Sequence, residues 1–194
     1  MMWLAAVLSM LLQARAAPPV VVVFETAAGN FEVAVDVARA PITAANFLKY
    51  VDDGAYDGGF FHRAVRADTE INLEVPIQVV QASAARGSKA YPPIPLERTS
   101  VTGLKHLAGT ISYGRAGPDS ATSDFFICVT DTPALDFGGK RNADGQGFGA
   151  FGQVVSGMDV IRKIQASPTQ PNATGRAKQN LAPRIAILRA YRQK

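Results

Sequence analysis

Apolar residues recur at every second position in several short segments of the chain, which is the spacing of a half-buried β-strand. Val20 to Thr26 is a β-branched run, and Phe31 to Val37 alternates apolar and polar residues. The turn 27–30 between them predicts a hairpin. Further strands are predicted at 60–65, 77–81, 110–113, 125–130, 151–155 and 185–191, which makes roughly eight in all.

Two other segments have helical spacing. Pro41 stands at a first helical position and Gly54 ends the apolar run that follows, which predicts a helix near 41–52. A second, amphipathic helix is predicted at 157–165. Strands and helices do not alternate as a doubly wound fold requires. We therefore predict a mostly β protein, a closed antiparallel eight-stranded β-barrel capped by two α-helices, because closure removes the sheet edges.

Composition narrows the class of protein. A chain of 194 residues has room for one ordinary domain, and 47% hydrophobic with 19% charged residues allows a real core. The net charge is +4, but no Lys/Arg cluster is dense enough for a nucleic-acid footprint, so we expect no nucleic-acid partner. The single Cys128 excludes an internal disulfide, and inside an apolar strand it is expected to be a packing residue.

The N-terminus has the features of a secretory signal. Residues 3–12 are apolar but too few to span a bilayer, and the small residues of 14–16 follow. We expect a signal peptide over 1–17, cleaved after Ala16 or Ala17, and a mature domain over 18–194. The protein would then be periplasmic or secreted, with no stable membrane insertion after cleavage. Met1 and Met2 supply no positive charge, so a frayed tail or a misassigned start codon is the alternative.

Two features that suggest cofactors lack the necessary context. Residues 147–152 spell G-x-G-x-x-G, but a loop precedes them and position 172 is Asn where a dinucleotide site needs an acidic residue. His62 and His106 are the only histidines, which is a poor basis for a metal site. We expect neither a cofactor nor a metal.

Several blocks in a fixed order carry the strongest signal. They are Phe61-His62-Arg63, Gln81, 109–112, 116–118, 122–127, Leu135-Asp136, 151–152 and 157–160, preceded by 40–43, 46–47, Gly54 and Tyr56. This set resembles the cyclophilin family from about Val20 to about Tyr191, and its later blocks look most like bacterial, often exported members. The resemblance implies a cofactor-free peptidyl-prolyl cis–trans isomerase that acts on X–Pro bonds of polypeptides and assists the folding of exported proteins.

The resemblance also implies roles for individual residues. Arg63 matches the catalytic arginine, which would donate to the twisted prolyl amide. Gln81 would order Arg63 and the substrate carbonyl, and the backbone of Gly114 and Arg115 would hold the peptide. The proline pocket would be formed by Phe126 as the floor, Leu135 as a wall, Val79 and Phe148. Phe125 alternates with Phe126 and is expected to face the core.

Three departures from the family pattern bear on these roles. Asp124 replaces the usual Gln, so an anion could pair with Arg63 and compete with substrate. The connection between Arg63 and Gln81 is about ten residues longer than usual, and Gln78 stands where an aromatic residue usually lines the pocket. Ala134 replaces an aromatic residue, which suggests weak binding of cyclosporin-like macrocycles.

Two functions follow from different residues. Retention of Arg63, Gln81 and Phe126 favours an isomerase, whereas Asp124 and Gln78 favour a proline-peptide-binding chaperone module with little or no catalysis. In both cases the partners are proline-containing polypeptides, and we expect a monomer.

Overall fold

A computed structural model describes residues 19–175 and 177–194. The predicted signal peptide over 1–17 lies outside these residues. Within them one antiparallel sheet contains nine strands: β1 (Val20–Thr26), β2 (Gly29–Val35), β3 (Phe60–Val65), β4 (Val79–Ser83), β5 (Thr110–Tyr113), β6 (Phe125–Cys128), β7 (Ala150–Ser156), β8 (Thr169–Gln170) and β9 (Asn180–Arg192).

Eight of these strands form a closed barrel. Their order is β1-β2-β7-β5-β6-β4-β3-β9, and β1 pairs again with β9. The long strand β9 makes closure possible, because it pairs with β1 near Ala190 and with β3 near Ala186. The two-residue strand β8 adds to the free part of β9. The predicted closed eight-stranded antiparallel barrel is confirmed.

In residues 19–175 and 177–194, three α-helices accompany the barrel: α1 (Pro41–Asp52), α2 (Thr99–Thr102) and α3 (Met158–Ala166). The two predicted helices are α1 and α3, and α3 begins one residue later than predicted. The prediction missed α2, because a single turn in a Pro-rich connection is too short to show a helical period. No helix among the described residues is long and apolar enough to cross a membrane.

A carboxylate from a distant loop caps α1. The backbone N–H groups of Ile42 and Thr43 donate to the two oxygens of Glu97 at 3.1 and 2.7 Å. These are first-turn donors that have no partner within the helix, and a negative charge at a helix N-terminus is favourable. Glu97 therefore ties the connection before α2 to the helix.

Five of the eight predicted strands have other bounds in the structure: 31–37, 77–81, 125–130, 151–155 and 185–191 are observed at Gly29–Val35, Val79–Ser83, Phe125–Cys128, Ala150–Ser156 and Asn180–Arg192. Two of these differences follow from strand pairing. The predicted strand 77–81 is β4 at Val79–Ser83, because β4 pairs Val79 with Val65 and Gln81 with Arg63 on β3. The predicted strand 185–191 begins earlier, at Asn180, because the first part of β9 pairs with β8 and β3.

The barrel interior is filled with aromatic rings. They include Phe24, Phe31, Phe47, Tyr56, Phe61, Tyr113, Phe125 and Phe151, each 1% exposed or less. Phe125 meets four of these rings at centroid distances of 5.4 to 6.1 Å. Such pairs add to the free energy gained by burying apolar area.

A second apolar cluster lies apart from this core. It consists of Val65, Ile77, Val79, Phe126, Cys128 and Leu135, with Phe148 packed against it, and we call it the outer cluster. Phe125 belongs to the core and Phe126 to the outer cluster, as strand alternation predicts. Cys128 is a fully buried packing residue, and burial raises the pKa of its thiol.

Phe125→Ala should strongly destabilise the fold. Removing a ring that four others surround leaves a cavity, and the expected loss is about 3–5 kcal/mol in the free energy of unfolding. This free energy can be measured by urea denaturation, with unfolding monitored by far-UV circular dichroism. Phe137→Ala is the matched control, because Phe137 is 44% exposed and should cost far less. Equal losses in the two variants would contradict this account of the core.

Candidate active site

A pocket of about 230 Å³ opens over the outer cluster. Its lining combines apolar and cationic side chains: Arg63, Ile77, Val79, Gln81, Gly114, Arg115, Phe126, Leu135, Arg141, Asn142 and Phe148. The structure therefore brings together every predicted site residue except Asp124.

The apolar half of the pocket is held by short contacts. Phe126 is 5% exposed, and the ring of Phe148 meets it edge-on at a centroid distance of 5.3 Å. The Phe148 backbone N–H donates to the Leu135 carbonyl at 2.9 Å, which fixes the two walls relative to one another. The result is a preformed apolar slot over the outer face of β4 and β6.

A buried polar network supports the floor. The His106 ring stacks beside the Phe126 ring, with a centroid distance of 6.0 Å and an interplanar angle of 17°. Its Nδ1 lies 2.7 Å from Asp136 Oδ1 and its Nε2 lies 3.1 Å from Ser112 Oγ. Burial alone would raise the pKa of Asp136, but hydrogen bonds from the His106 ring and backbone outweigh it and lower that pKa. The network fixes the His106 imidazole, and the imidazole in turn holds the Phe126 ring that stacks on it.

Arg63 reaches the pocket from β3 and is held by two glutamines. Its Nε and Nη2 both donate to Gln179 Oε1, at 3.0 and 2.7 Å, and its Nη1 donates to Gln81 Oε1 at 3.3 Å. A guanidinium has five N–H donors. These contacts use three of them, so two donors are left for a molecule in the pocket.

The surroundings of Arg63 are unfavourable for its charge. Burial lowers the pKa of the Arg63 guanidinium below its usual value, the charge of Arg141 lowers it further, and Glu70 raises it. An arginine remains protonated despite such a shift. The positive charge therefore stands in a poorly solvated place, where it interacts strongly with a partner.

Arg115 and its carboxylate partner hold the loop before Phe148. Arg115 makes a two-pronged contact with Asp144, at 2.7 and 2.9 Å, and its Nε donates to the Gly147 carbonyl at 2.7 Å. The hydrogen bond from Arg115 lowers the pKa of Asp144 to about 2. Gly147 has φ +67°, and a Cβ there would lie 2.5 Å from the backbone of Asp136, so this turn requires glycine. The buried Arg115 side chain thus supports the pocket wall that Phe148 forms.

The long connection between β3 and β4 folds around one buried carboxylate. Glu70 accepts hydrogen bonds from the backbone N–H groups of Ile71, Asn72 and Ile77 at 2.8 to 3.1 Å. Its other partner is Arg141, whose Nη1 lies 3.0 Å from Glu70 Oε2. Because Ile77 and Arg141 both line the pocket, Glu70 joins the connection to the site.

The expectation for Asp124 is not met in this structure. Asp124 is half-buried, lies outside the pocket lining and forms no ion pair with Arg63. Its backbone carbonyl instead accepts from the Gly114 N–H at 2.8 Å. Its charge acts on His62, whose pKa burial lowers and Asp124 partly restores.

The register around Gln78 also differs from the sequence-based expectation. Ile77 and Val79 line the pocket, whereas Gln78 Oε1 accepts from Gln165 Nε2 at 3.4 Å on the side of α3. An apolar side chain therefore occupies the position where Gln78 was expected.

Sequence reasoning missed five residues of the site: Ile77, Arg141 and Asn142 in the pocket lining, and Gln179 and Glu70 behind it. Gln179 lies 116 positions from Arg63, and Arg141 lies 71 positions from Glu70. No local pattern links such pairs. The only signal was the unusual length of the connection after Arg63, which indicated that something new borders the pocket.

The chain is similar to known proteins along most of its length. The family model described as cyclophilin type peptidyl-prolyl cis-trans isomerase matches residues 21–191. Peptidyl-prolyl cis-trans isomerase A of Dickeya dadantii is 40% identical over 153 residues, which cover 77% of this chain and 73% of that one. Peptidyl-prolyl cis-trans isomerase B of Escherichia coli is 34% identical over 149 residues, which cover 76% of this chain and 85% of that one.

A solved structure supports the fold. The cyclophilin type peptidyl-prolyl cis-trans isomerase of Cryptosporidium parvum, determined in the presence of the dipeptide Ala-Pro, superposes with a TM-score of 0.70. The match covers 90% of this chain and 99% of that chain at 17% sequence identity.

Glu70→Gln should destabilise the protein at neutral pH by about 1–3 kcal/mol, since hydrogen bonds to a charged group are lost and Arg141 loses its carboxylate. Burial alone would raise the pKa of Glu70, but the backbone hydrogen bonds and Arg141 lower it. The stabilisation is thus present above the ordinary Glu pKa of about 4.3 and is lost as pH falls through the folded value.

Urea denaturation of both proteins at several pH values between neutrality and acid tests this. The difference from wild type should shrink as the pH falls. Glu74→Gln is the control, because Glu74 is an exposed residue of the same connection. If the Glu70 and Glu74 variants behave alike, the assigned role of Glu70 is wrong.

Proposed function

The chain belongs to the cyclophilin-type peptidyl-prolyl cis–trans isomerases, whose activity it shares, and we propose that Arg63 is its catalytic residue. One observation carries this assignment. Three of the arginines that the structure describes line the pocket: Arg63, Arg115 and Arg141. Arg115 is paired with Asp144, and Arg141 is paired with Glu70. Among the described residues Arg63 has no carboxylate partner, so its charge is the one left for the substrate.

The reaction needs an electrostatic catalyst and no covalent step. Amide resonance imposes a barrier of about 18–20 kcal/mol on rotation about the X–Pro bond. In the twisted state resonance is lost, and the prolyl nitrogen becomes pyramidal and gains a lone pair. A donor that meets this lone pair binds the twisted state more tightly than either planar isomer, which lowers the barrier. The two unpaired donors of Arg63 can serve the prolyl nitrogen and the neighbouring carbonyl.

The rest of the pocket holds the substrate. We assign the proline ring to the slot formed by Phe126, Leu135, Val79 and Phe148, which buries its apolar surface. The peptide backbone lies along the polar edge of the slot, where Gln81, Gly114 and Arg115 supply hydrogen-bonding groups. A Cβ on Gly114 would come within 3.3 Å of Gln81 Nε2, so glycine keeps room beside that amide.

The substrates are proline-containing polypeptides. The relative from Cryptosporidium parvum was determined with Ala-Pro, which is the smallest ligand of this kind. Each step proposed for this chain uses only its own side-chain and backbone groups, and the proposed mechanism includes no metal or cofactor.

The alternative of a binding module without catalysis loses its support. It depended on Asp124 opposing Arg63 and on Gln78 disturbing the pocket. Neither side chain lines the pocket, and Arg63 retains free donors. These observations favour the isomerase.

We also propose that the enzyme works outside the cytoplasm as a monomer, on exported polypeptides that are folding. The apolar run at 3–12 followed by small residues supports export, and the lone buried Cys128 makes the fold independent of disulfide formation. Proline isomerisation takes tens of seconds without a catalyst, so newly exported chains would benefit from one.

Arg63→Ala should lower kcat/KM for a short Ala-Pro peptide by roughly 10²–10³-fold, the usual effect of losing one preorganised donor. Peptide affinity should change little, because the apolar slot remains. A protease-coupled or NMR exchange assay measures turnover, and Arg86→Ala is the control, since Arg86 is an exposed arginine. Phe126→Ala should instead weaken binding. Activity of the Arg63 variant equal to that of wild type would refute the assignment of Arg63 as the catalytic residue.

N-terminal sequencing of the protein recovered from its native host should show a chain that begins at Ala17 or Pro18. Small residues end the apolar run there, at the spacing that signal peptidases require. Cell fractionation of the same culture should place the activity outside the cytoplasm. A recovered chain that still starts at Met1 would refute export by this signal.

A further inference from the structure

The contacts of Gln179 single out a residue that acts on the catalytic arginine. Gln179 lies just before β9 and is only 3% exposed. One oxygen atom, its Oε1, accepts from both Nε and Nη2 of Arg63. This two-donor contact fixes the plane of the guanidinium and also its position along the pocket.

The orientation of the Gln179 amide is itself determined. Its Nε2 donates to the Thr69 carbonyl at 2.8 Å, so the oxygen must face Arg63. The Gln179 backbone is anchored as well, because its carbonyl accepts from the Ala64 N–H at 2.9 Å, next to Arg63 on β3. Thr69 belongs to the long connection between β3 and β4, which Glu70 folds into a fixed shape. The connection thus holds Gln179, and Gln179 holds Arg63.

The chemistry of the contact suits a positioning role. A neutral amide oxygen orients the guanidinium without cancelling its charge, as a carboxylate at the same place would. Restricting the long arginine side chain before substrate arrives also removes an entropy cost from the catalytic step. Gln81 alone would leave the guanidinium with a single contact of 3.3 Å.

We propose that Gln179 is a positioning residue for Arg63, and that the long connection between β3 and β4 contributes to catalysis through the Thr69 carbonyl. This inference rests on the proposed function of Arg63. It assigns part of the catalytic efficiency to a residue that touches no substrate.

The test compares Gln179→Met with wild type. Methionine has a similar length and fills the same space, but it cannot accept two hydrogen bonds from a guanidinium. The expected result is a loss of roughly 10- to 100-fold in kcat/KM for an Ala-Pro peptide, as for hydrogen bonds to a charged group. The dissociation constant of the peptide, measured by NMR titration, should stay the same. Gln170→Met, at an exposed glutamine of β8, is the control and should have wild-type kinetics.

A double variant separates positioning from general damage. In the Arg63→Ala background, Gln179→Met should cause no further loss of kcat/KM, because nothing remains to be positioned. An equal further loss, or a parallel rise in the peptide dissociation constant, would overturn the proposal. Unchanged kinetics of Gln179→Met would overturn it as well, provided that Arg63→Ala is slow. If Arg63→Ala is itself as active as wild type, it is the proposed function that fails.

A measurement that does not use the Gln179 variants remains decisive if they do not fold. The Arg63 Nε–H donates to a buried acceptor, so its NMR signal should persist against exchange with water. Its assignment follows from its absence in Arg63→Lys. A signal that exchanges as fast as those of exposed arginines would show that the guanidinium is not held and would overturn the proposal.

Discussion

Strands β4 and β6 each place alternate side chains in the barrel core and in the pocket. On β6, Phe125 fills the barrel interior and Phe126 forms the pocket floor. On β4, Val80 points inward and Val79 lines the pocket. Because successive side chains leave opposite faces of one sheet, the packed aromatic core fixes the positions of the outer residues as well. A slip of one residue in either strand would exchange core and site, so the register that folds the barrel also builds the pocket.

Charge is distributed in the pocket so that one cation stays available. Each of the other two lining arginines meets a carboxylate, while Arg63 meets amide oxygens of Gln81 and Gln179. The amide oxygens accept from three of the five guanidinium donors and leave the net charge intact. That charge costs free energy in the empty site, because burial disfavours it. The same unfavourable solvation makes its interaction with a developing lone pair strong, since little water competes for the donors.

The parts of the molecule that could be predicted are those with a local signal. Strand alternation at 125–126 separated a core ring from a pocket ring, and Pro41 marked the start of α1. The site residues came from resemblance, and eight of the nine lie around the pocket because the barrel is shared. Gln179 and Arg141 could not be found in this way. Their partners are 116 and 71 positions distant, and their role depends on how two loops meet in space. For Asp124 the residue type alone suggested an ion pair with Arg63, and the structure does not contain that pair.

The long connection after β3 is better understood as part of the site than as an appendage. Lengthening a loop costs little closure entropy, because that cost grows only with the logarithm of length. A loose loop beside a catalytic residue would nevertheless weaken preorganisation. Here the polar groups of the connection are satisfied by residues that line or support the pocket: Glu70 binds Arg141, and the Thr69 carbonyl binds Gln179. The order of the loop and the order of the pocket are thereby coupled, so a segment that could have added motion instead restrains the guanidinium.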